Sequence, residues 1–358
     1  MKIDQITRYI IMILVVSIIL LLGHDKVIAG SRLEAKISRG LINNARAKDA
    51  VARFNFALIG DIPRIGDPAL EPKLESFVRL RDEINGTKGI RFVIHDGDYK
   101  TGGSECSDKN MNRWYGLCNS FSDPFIFIVG DNEWTDCHRE QCGGYDPVER
   151  LEALREKFYS TPYALGKTGT KLYLERQSNV TSDERFEIFS ENFRWVYKSV
   201  MFVGLNVQGS NNNYPTGGAG DLEEFTLRNE ACNEFLRKSF RLAKENSNFG
   251  IMIIIQASLP QFERDSSQLG EGFEDFLKTL TEETVAFKKS VVLVHGDSHC
   301  FRIDKPMYDS NRRRIENFTR VETFGAPDVH WVNVMVNSKD PELFSFKQKI
   351  VKDNLVEH

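Results

Sequence analysis

Residues 92–98 read Phe-Val-Ile-His-Asp-Gly-Asp, an apolar run that ends in a glycine and an aspartate. Short apolar runs bounded by turn residues are typical of strands buried on both faces of a sheet. The ending recurs three times along the chain, at Gly60-Asp61, Gly130-Asp131 and Gly296-Asp297. Because ligands bind beyond the carboxyl ends of strands in open α/β sheets, the four endings predict one carboxylate-rich site.

Helical patterns alternate with these strands. Apolar residues recur at helical spacing in four segments, 70–84, 147–158, 221–244 and 273–287. Strands are expected at 54–59, 90–94, 124–129, 251–255 and 291–294, with β-like segments at 186–207, 318–324, 329–336 and 342–347. This alternation predicts an α/β fold, and residues 54–350 are interpreted as one domain because no repeat or internal linker interrupts them.

The composition narrows the class of protein. The 358 residues are 41% hydrophobic and 27% charged, with a net charge of -4. These values are near the averages of globular proteins and exclude collagen-like, disordered and multi-span membrane chains. Because the chain is mildly acidic, it lacks the excess of basic residues typical of nucleic-acid binders. We therefore expect no broad nucleic-acid surface.

The N-terminal segment has the features of an export signal. Lys2 and Arg8 precede a 14-residue apolar run over 9–22, shorter than the roughly 20 residues of a membrane span. Residues 27–29, Val-Ile-Ala, supply a cleavage pattern. We expect a signal peptide at 1–29, a linker at 30–53 and a periplasmic or extracellular protein. The alternative is that this N-terminal segment stays uncleaved as an anchor. It would then be the only part of the protein that we expect to contact a membrane.

Export would permit disulfides, and four of the six cysteines lie between residues 106 and 142. Four cysteines allow three pairings that sequence cannot distinguish. The pairing of nearest neighbours, Cys106 with Cys118 and Cys137 with Cys142, is preferred. A structural zinc site is the alternative, although no C-x2-C pair is present.

Converging carboxylates would repel one another strongly in a poorly solvated cleft, so a cation is expected among them. Bound metal ions are the usual solution. His295 and His299 flank Asp297, so one strand end offers both nitrogen and oxygen ligands. The alternative is four unrelated turns or helix caps, since Gly-Asp is a common turn signal.

Taken together, these segments resemble the motifs of the calcineurin-like metallophosphoesterases, in a divergent, exported, bacterial-type branch. Members of that family carry D-x-H, G-D, G-N-H-E or G-N-H-D, a single His, and G-H-x-H in this order at strand ends. The matching segments are Asp61-Ile62-Pro63, Gly97-Asp98, Gly130-Asp131-Asn132-Glu133, Gln256 and Gly296-Asp297-Ser298-His299. The resemblance implies a four-layer α/β/β/α sandwich. It also implies hydrolysis of a small-molecule phosphate mono- or diester by a dinuclear metal centre with a metal-bound hydroxide.

The resemblance further implies a ligand set in which Asp98 bridges two divalent ions. The implied metal ligands are Asp61, Asp98, Asp131, Gln256, His295, Asp297 and His299. Several imidazoles of the family pattern are replaced here, by Pro63, Asn132, Gln256 and Asp297. Oxygen ligands in place of imidazole harden the site, which favours Mn, Mg, Ca or Fe over Zn.

The leaving-group acid is the role that these departures affect most. The family's acid is the His of the third motif, where this chain has Asn132, and an amide cannot donate a proton usefully. His138 and His95 are the nearest candidates for that role. Two alternatives therefore stand beside the esterase: a catalytically silent relative that binds a ligand or metal, and a metal-dependent hydrolase of another ester or amide.

Overall fold

Two β-sheets with helices on their outer faces form the part of the chain that the computed structural model describes, residues 52–66, 74–263 and 270–355. The strands are β1 (Arg53–Ile59), β2 (Ile90–His95), β3 (Phe125–Phe127), β4 (Glu175–Arg176), β5 (Phe193–Tyr197), β6 (Val200–Gly204), β7 (Gly250–Ile254), β8 (Ser290–His295), β9 (Arg302–Asp304), β10 (Phe318–Glu322), β11 (Trp331–Asn337) and β12 (Phe344–Lys349). The helices are α1 (Leu74–Gly86), α2 (Asp108–Cys118), α3 (Pro147–Phe158), α4 (Gln177–Val180), α5 (Leu222–Glu245) and α6 (Glu274–Phe287).

The order of the strands places parallel strands at the centre of each sheet. The first sheet has the order β12-β11-β1-β2-β3, and β1, β2 and β3 run parallel. The second has the order β4-β5-β6-β7-β8-β10-β9, and β6, β7, β8 and β10 run parallel. Since parallel strands end at the same edge, each sheet presents a row of strand ends to one side.

Aromatic side chains fill the space between the two sheets. Phe56 of β1 and Phe92 of β2 stack with ring centroids 4.9 Å apart. Phe202 of β6, in the second sheet, contacts both rings edge-on, with centroids 5.4 Å away. Edge-to-face aromatic pairs of this kind add to the stabilisation from burial.

Helices cover the opposite faces of both sheets. On the first sheet, Trp114 of α2 packs against Phe125 and Phe127 of β3, at 5.8 and 5.7 Å between centroids. On the second, a separate core joins Ile253 and Leu293 to helices α5 and α6. The predicted four-layer α/β/β/α sandwich is therefore confirmed.

The predicted helices and strands are observed close to their expected bounds, with one exception, but helix α2 and the short elements β4, β9 and α4 were not predicted. The β-like stretch 186–207 contains only β5 and β6, and Glu184–Phe186 is a 3-10 turn. The proposed signal peptide, 1–29, and all but the end of the proposed linker lie outside the described residues. Within the described ranges, no helix is long and apolar enough to cross a membrane.

The preferred disulfide pairing is wrong, because Cys106 bonds to Cys137. Cys118 and Cys142 are buried free thiols. Cys118 belongs to α2 and packs into the main core, whereas a 3-10 turn after β3, Thr135–His138, brings Cys137 to Cys106. Pairing nearest neighbours in sequence gave the wrong bond because helix α2 places Cys118 against the first sheet, away from Cys106.

Candidate metal centre

Carboxylates from both sheets meet where their parallel strands end. Asp98 follows β2 and Asp131 follows β3 in the first sheet, and Asp297 follows β8 in the second. Each of the three brings a carboxylate oxygen within 4.8 Å of the others. We call these three residues the carboxylate triad. Three of the four Gly-Asp strand ends that were predicted to converge therefore lie in one cluster.

The glycine before each aspartate is needed mainly for close approach. A Cβ on Gly130 would lie 2.0 Å from Asp98 Oδ1, and one on Gly296 would lie 2.2 Å from Asp61 Oδ2. The aspartates themselves make the sharp turns, with φ of 53° at Asp61 and 62° at Asp98. Aspartate is among the residues that tolerate this left-handed conformation.

The electrostatics of the triad favour a bound cation. Burial, followed by the charges of Asp131 and Glu133, raises the pKa of Asp98 well above its usual value. Burial, followed by Asp297 and Asp136, does the same to the pKa of Asp131. Carboxylates that destabilise each other's charge in a buried site are suited to a divalent cation. The donor set of the triad therefore fits a metal ion.

Asp61 and His299 form a second pair of donors beside the triad. His299 Nδ1 donates to the carbonyl oxygen of Ala326 at 2.7 Å, which leaves its Nε2 without the proton and 3.5 Å from Asp61 Oδ1. Both oxygens of Asp61 also accept the backbone N–H of Asp297, at 3.1 Å. The structure thus joins Asp61 and His299 to each other and, through Asp297, to the triad.

The two amides among the candidate site residues point their N–H groups at the triad. Gln256 Nε2 lies 3.2 Å from Asp98 Oδ2 and 3.4 Å from Asp131 Oδ1. Asn132 Nδ2 lies 2.7 Å from the same Asp98 oxygen. Gln256 is therefore at the centre, as expected, but presents a hydrogen-bond donor where a ligand oxygen was expected.

His295 does not join the carboxylates. By strand alternation, its side chain shares the face of β8 that packs against the outer helices, with Val291 and Leu293. Its Nδ1 contacts the carbonyl of Gly296 at 2.9 Å, and burial lowers its pKa to about 3. The proposed role of His295 as a metal ligand therefore does not match this arrangement, because the strand directs the ring to the other face.

The two candidate acids lie in very different surroundings. His95 is buried: Gly97 N donates to its Nδ1 at 3.2 Å, and its Nε2 donates to the carbonyl of Ile62 at 2.7 Å. Burial lowers the pKa of His95 to about 3, so the ring is neutral and fully engaged. His138 is exposed, and its Nδ1 donates to the carbonyl of Thr135 at 2.7 Å. Of the two, only His138 can reach a bound molecule.

Glu133 is a positioning residue that the motif string contained but the sequence reasoning passed over. Its carboxylate accepts the backbone N–H groups of Gly130, Asp98 and Tyr99, at 2.7, 3.0 and 3.0 Å. Burial raises its pKa to about 7, and these hydrogen bonds oppose the shift. Glu133 thereby ties the loop after β3 to the loop after β2.

Ser210 is a second residue that the sequence reasoning missed. Its hydroxyl contacts Asp131 Oδ2 at 2.9 Å and Asp136 Oδ1 at 2.7 Å. It begins a run of four residues in the left-handed conformation, 210–213, with φ between 49° and 60°. We call this run the left-handed turn. Three of its residues are asparagines, which tolerate this conformation, so the Asn-rich sequence was the available signal.

A buried arginine holds the left-handed turn in place. Arg228 of α5 donates to Asn212 Oδ1 at 2.7 Å and to the Asn212 carbonyl at 2.8 Å. It pairs with Glu224 at 2.6 Å and lies over the ring of Trp134, 5.2 Å from its centroid. Strained backbone of this kind persists only where its surroundings over-determine it, and it occurs mainly at functional sites.

An open cleft borders the triad. Its volume is about 720 Å³, and Asp297, Ser210, His138 and Tyr214 are among its lining residues. Asp136 and Glu271 add negative charge to the wall, while Arg139 is paired with Asp136 at 2.7 Å. The centre is therefore accessible to a small molecule from one side.

Comparison with known proteins identifies the family. The model of the calcineurin-like phosphoesterase family matches residues 54–239. The chain belongs to this family. The matched region includes Asp61, Asp98 and Asp131, whereas Asp297 and His299 come from the remainder of the fold. The family is one of hydrolases that act on phosphate esters, and the resemblance stated from the motifs is confirmed.

Two solved structures are similar to this chain at low sequence identity. A purple acid phosphatase from yellow lupin (Lupinus luteus) seeds has a TM-score of 0.46 and 12% identity, over 83% of this chain and 53% of that one. A 5'-nucleotidase from Candida albicans SC5314 has a TM-score of 0.42 and 12% identity, over 84% and 52%. The chain thus spans about half the length of these structures. A search of curated proteins gave no match.

Proposed function

We propose that this protein is an exported, metal-dependent phosphoesterase that hydrolyses a small-molecule phosphate mono- or diester. The observation that carries the proposal is the convergence of Asp98, Asp131 and Asp297 from two sheets beside an open cleft. Asp98 and Asp131 are buried and Asp297 is half-buried, and a cation would offset the mutual repulsion of such closely placed carboxylates.

The proposed centre has two positions for divalent cations. The carboxylate triad would hold one, and Asp61 with His299 would contribute to the other, with Asp98 between them. The oxygen-rich donor set favours Mn, Mg, Ca or Fe over Zn. When bound, such cations activate a water nucleophile and stabilise charge on the attacking and leaving oxygens of the phosphate.

His138 is the best-placed leaving-group acid in this proposal. Its Nδ1 donates to the carbonyl of Thr135, so Nε2 is the nitrogen that could exchange a proton in the cleft, where no hydrogen bond to it comes from the described residues. His95 cannot serve, since both of its nitrogens are engaged in the interior. Asn132 instead holds Asp98 through an N–H group.

The cleft suits an uncharged leaving group. Asp136 and Glu271 would repel a further phosphate, and the nearby guanidinium of Arg139 is already paired. Tyr214 packs edge-on against Phe225, at 5.1 Å between centroids, and offers an aromatic edge to the cleft. These features favour a phosphate ester of a neutral alcohol over a polyphosphate.

A metal-supplemented assay tests the activity. Purified protein is compared on p-nitrophenyl phosphate and bis(p-nitrophenyl) phosphate, with Mn, Mg, Ca and Zn each added at equal concentration. We expect turnover that is abolished by Asp131→Asn and retained by Asp309→Asn, a matched change on an exposed loop away from the centre. Absence of turnover with any ester and any metal would contradict the proposal.

The second candidate is a catalytically silent binding protein of the same fold. It is favoured by Asn132 and Gln256, whose amides occupy positions that the family pattern assigns to imidazole. Metal-dependent binding of inorganic phosphate without turnover of either ester would support it.

Export is proposed from the N-terminal sequence, residues 1–29. Intact-mass measurement of protein recovered from the cell exterior or periplasm should show a chain that begins near Gly30. A full-length chain retained in the membrane fraction would favour the uncleaved anchor, and a full-length chain in the cytoplasm would contradict export.

A further inference from the structure

The hydroxyl of Ser210 lies between two carboxylates. Its Oγ is 2.9 Å from Asp131 Oδ2 and 2.7 Å from Asp136 Oδ1. A serine hydroxyl has one proton to donate, and its remaining lone pairs only accept. One of the two carboxylates therefore receives the proton, and the other faces an oxygen atom that offers it none.

Asp136 is the carboxylate that receives the proton. Its other oxygen, Oδ2, forms an ion pair with Arg139 at 2.7 Å, and an ionised acceptor makes the shorter and stronger hydrogen bond. The contact of Ser210 with Asp136 is also the shorter of its two contacts. The lone pairs of Ser210 Oγ are then left toward Asp131 Oδ2. Two such oxygens meet favourably only where a proton or a cation lies against both.

The Asp131 oxygen that Ser210 contacts borders the carboxylate triad. A Cβ on Gly209 would lie 2.6 Å from Asp131 Oδ2 and 3.0 Å from Asp297 Oδ1, so both oxygens border the space beside the Gly209 Cα. Ser210, Gly209 and Asp297 also line the open cleft. The hydroxyl of Ser210 thus approaches the triad from the side of the cleft, next to the carboxylates of both sheets.

The separation of the two oxygens suits ligands of one cation. Around an octahedral ion with bonds of about 2.1 Å, neighbouring ligand oxygens lie about 3.0 Å apart. Ser210 Oγ and Asp131 Oδ2 are 2.9 Å apart. A cation bound by Asp131 could therefore have both oxygens in its coordination sphere without a rearrangement of either side chain relative to the other.

The backbone holds Ser210 in a conformation that serine rarely adopts. Its φ is 49° and its ψ is 45°, and the three residues that follow it in the left-handed turn are asparagines, which tolerate this conformation better. Arg228 secures the turn through Asn212. Backbone of this kind is concentrated at functional sites and is held there by its surroundings. The fold therefore fixes where this hydroxyl lies, against the preference of the residue that carries it.

We propose that Ser210 Oγ is a ligand of the cation at the carboxylate triad, a neutral oxygen beside the three carboxylates. The inference rests on the metal centre of the proposed function. A hydroxyl adds a hard oxygen ligand without a further negative charge, so it avoids the repulsion that a fourth carboxylate would bring. Asp136 and Arg139 are then positioning residues, because they hold the hydroxyl proton away from the cation.

Exchange of the ligand atom tests this inference without an activity readout. Ser210→Cys replaces a hard oxygen with sulfur, which prefers soft ions. The metal-free full-length or mature protein and the variant are titrated with Mn²⁺ and Cd²⁺ by calorimetry. We expect the ratio of Cd²⁺ to Mn²⁺ affinity to rise at least about tenfold in Ser210→Cys, the lower range of the effects of ligand environment on metal affinity. Co²⁺ should give the charge-transfer absorption of a thiolate bond in this variant.

Thr216→Cys is the matched control. Thr216 lines the same cleft, but its hydroxyl contacts Asn211 and the carbonyl of Tyr214. The inference is overturned if the affinity ratio in Ser210→Cys equals that in Thr216→Cys, or if Co²⁺ shows no thiolate absorption. Either result would leave Ser210 as a hydrogen-bond partner of Asp131 alone.

Ser210→Gly gives a second test that does not depend on the folding of the cysteine variant. Glycine adopts the left-handed conformation freely, so this variant should fold, and thermal melting of the metal-free protein checks it. It removes one oxygen ligand, and Mn²⁺ should bind about tenfold more weakly or worse. Native or higher affinity for Mn²⁺ in Ser210→Gly would also overturn the inference.

The outcomes for the two proposals are separable. Ester hydrolysis by the native protein, together with native affinity for Mn²⁺ in Ser210→Gly, would sustain the proposed activity and overturn the inference. A preference for Cd²⁺ that depends on the thiol at position 210, without hydrolysis of any ester by the native protein, would do the reverse. No binding of Mn²⁺ or Cd²⁺ at millimolar concentration would overturn both.

Discussion

At the scale of single residues, Asp98 is the most connected side chain of the centre. It belongs to the carboxylate triad, accepts N–H groups from Asn132 and Gln256, and its backbone N–H donates to Glu133. Its charge is destabilised by burial and by its neighbours, which raise its pKa. These properties suit Asp98 to cation binding, because its buried charge lowers the stability of the fold unless a cation offsets it.

We predict that Asp98→Asn lowers turnover by at least about a hundredfold, the scale of losing a principal charge stabiliser. The metal-free variant should fold, and its melting temperature should equal or exceed that of the native protein, because repulsion with Asp131 and Asp297 falls. Turnover and melting temperature are measured with and without metal.

Asn132→Ala provides the comparison. It should cost less turnover than Asp98→Asn, because the amide positions Asp98 and carries no charge. Near-normal turnover in Asp98→Asn would mean that the assigned metal centre is wrong.

His95 makes the stability of the fold sensitive to acid. Its pKa falls from an ordinary 6.5 to about 3 in the folded protein, because burial disfavours the charged ring. Between these values the unfolded chain binds a proton that the folded one does not. The stability contributed by neutral His95 is therefore complete above about pH 6.5 and is lost as the pH falls toward 3.

We predict that His95→Gln, which keeps a donor and an acceptor but cannot titrate, reduces the pH dependence of the unfolding free energy by up to about 1.4 kcal/mol per pH unit in this window. Chemical denaturation at several pH values between 3 and 7 measures it. His295, with a pKa also lowered to about 3, remains as a second contributor. Equal slopes in the two proteins would contradict the assignment.

At the scale of elements, the segments that follow the strands position the side chains of the centre. The left-handed turn after β6 places Ser210 on Asp131, and Arg228 of α5 secures that turn. The cost of left-handed backbone is about 1–2 kcal/mol per ordinary residue, less for asparagine. Helix α5 thus contributes to the centre through one buried side chain, although none of its residues belongs to the triad.

We predict that Arg228→Met lowers the unfolding free energy by about 3–5 kcal/mol, because Glu224 is left as an uncompensated, largely buried charge. Turnover should also fall, because the left-handed turn loses the hydrogen bonds that Arg228 donates to Asn212. The double variant Arg228→Met, Glu224→Gln should regain stability but not turnover. Denaturation and ester hydrolysis measure the two effects.

Arg237→Met is the matched control on the same helix, since this exposed arginine reaches Thr279 and lies away from the turn. A double variant with native turnover would show that Arg228 acts on stability alone.

The disulfide between Cys106 and Cys137 is a second feature that fixes the segments after the strands. It links Cys106 and Cys137, which are 31 positions apart in the sequence, and lies next to the 3-10 turn that carries His138. Loop closure of this length constrains the unfolded chain by about 3–4 kcal/mol. We predict that Cys106→Ser lowers the unfolding free energy by about 2–4 kcal/mol. Thiol counting by mass spectrometry should show four free cysteines in the native protein, and six would exclude the bond.

At the scale of the whole molecule, the centre lies where the two sheets meet. Asp98 and Asp131 belong to the first sheet and Asp297 to the second. A cation held by all three would therefore stabilise the packing of the sheets against each other. The aromatic core between them, including Phe92 and Phe202, already supports the arrangement without metal.

We predict that chelation lowers the melting temperature, and that Mn²⁺ at 100 times its dissociation constant stabilises the fold by about 2.7 kcal/mol. Asp297→Asn should reduce this gain, because it removes the contribution of the second sheet. Chemical denaturation with and without metal measures it. An equal gain in Asp297→Asn would place the cation elsewhere.

Much of the fold and part of the centre were predictable from local sequence. Apolar runs that end in Gly-Asp predicted buried parallel strands and a site at their carboxyl ends, and helical periodicity located the main helices, because burial imposes both patterns directly. The motifs also identified the family. Among the ligand candidates, Asp61, Asp98, Asp131, Asp297 and His299 gather at that edge as expected.

Other features depended on contacts between distant segments. The face of β8 on which His295 lies, the burial of His95, and the bond of Cys106 to Cys137 follow from how strands and helices pack. The direction of the Gln256 amide is set by the backbone of Gly209, 47 residues away. Local sequence specifies which side chains reach the end of a strand; the partners that orient them, and hence their chemistry, are determined only once the two sheets are in contact.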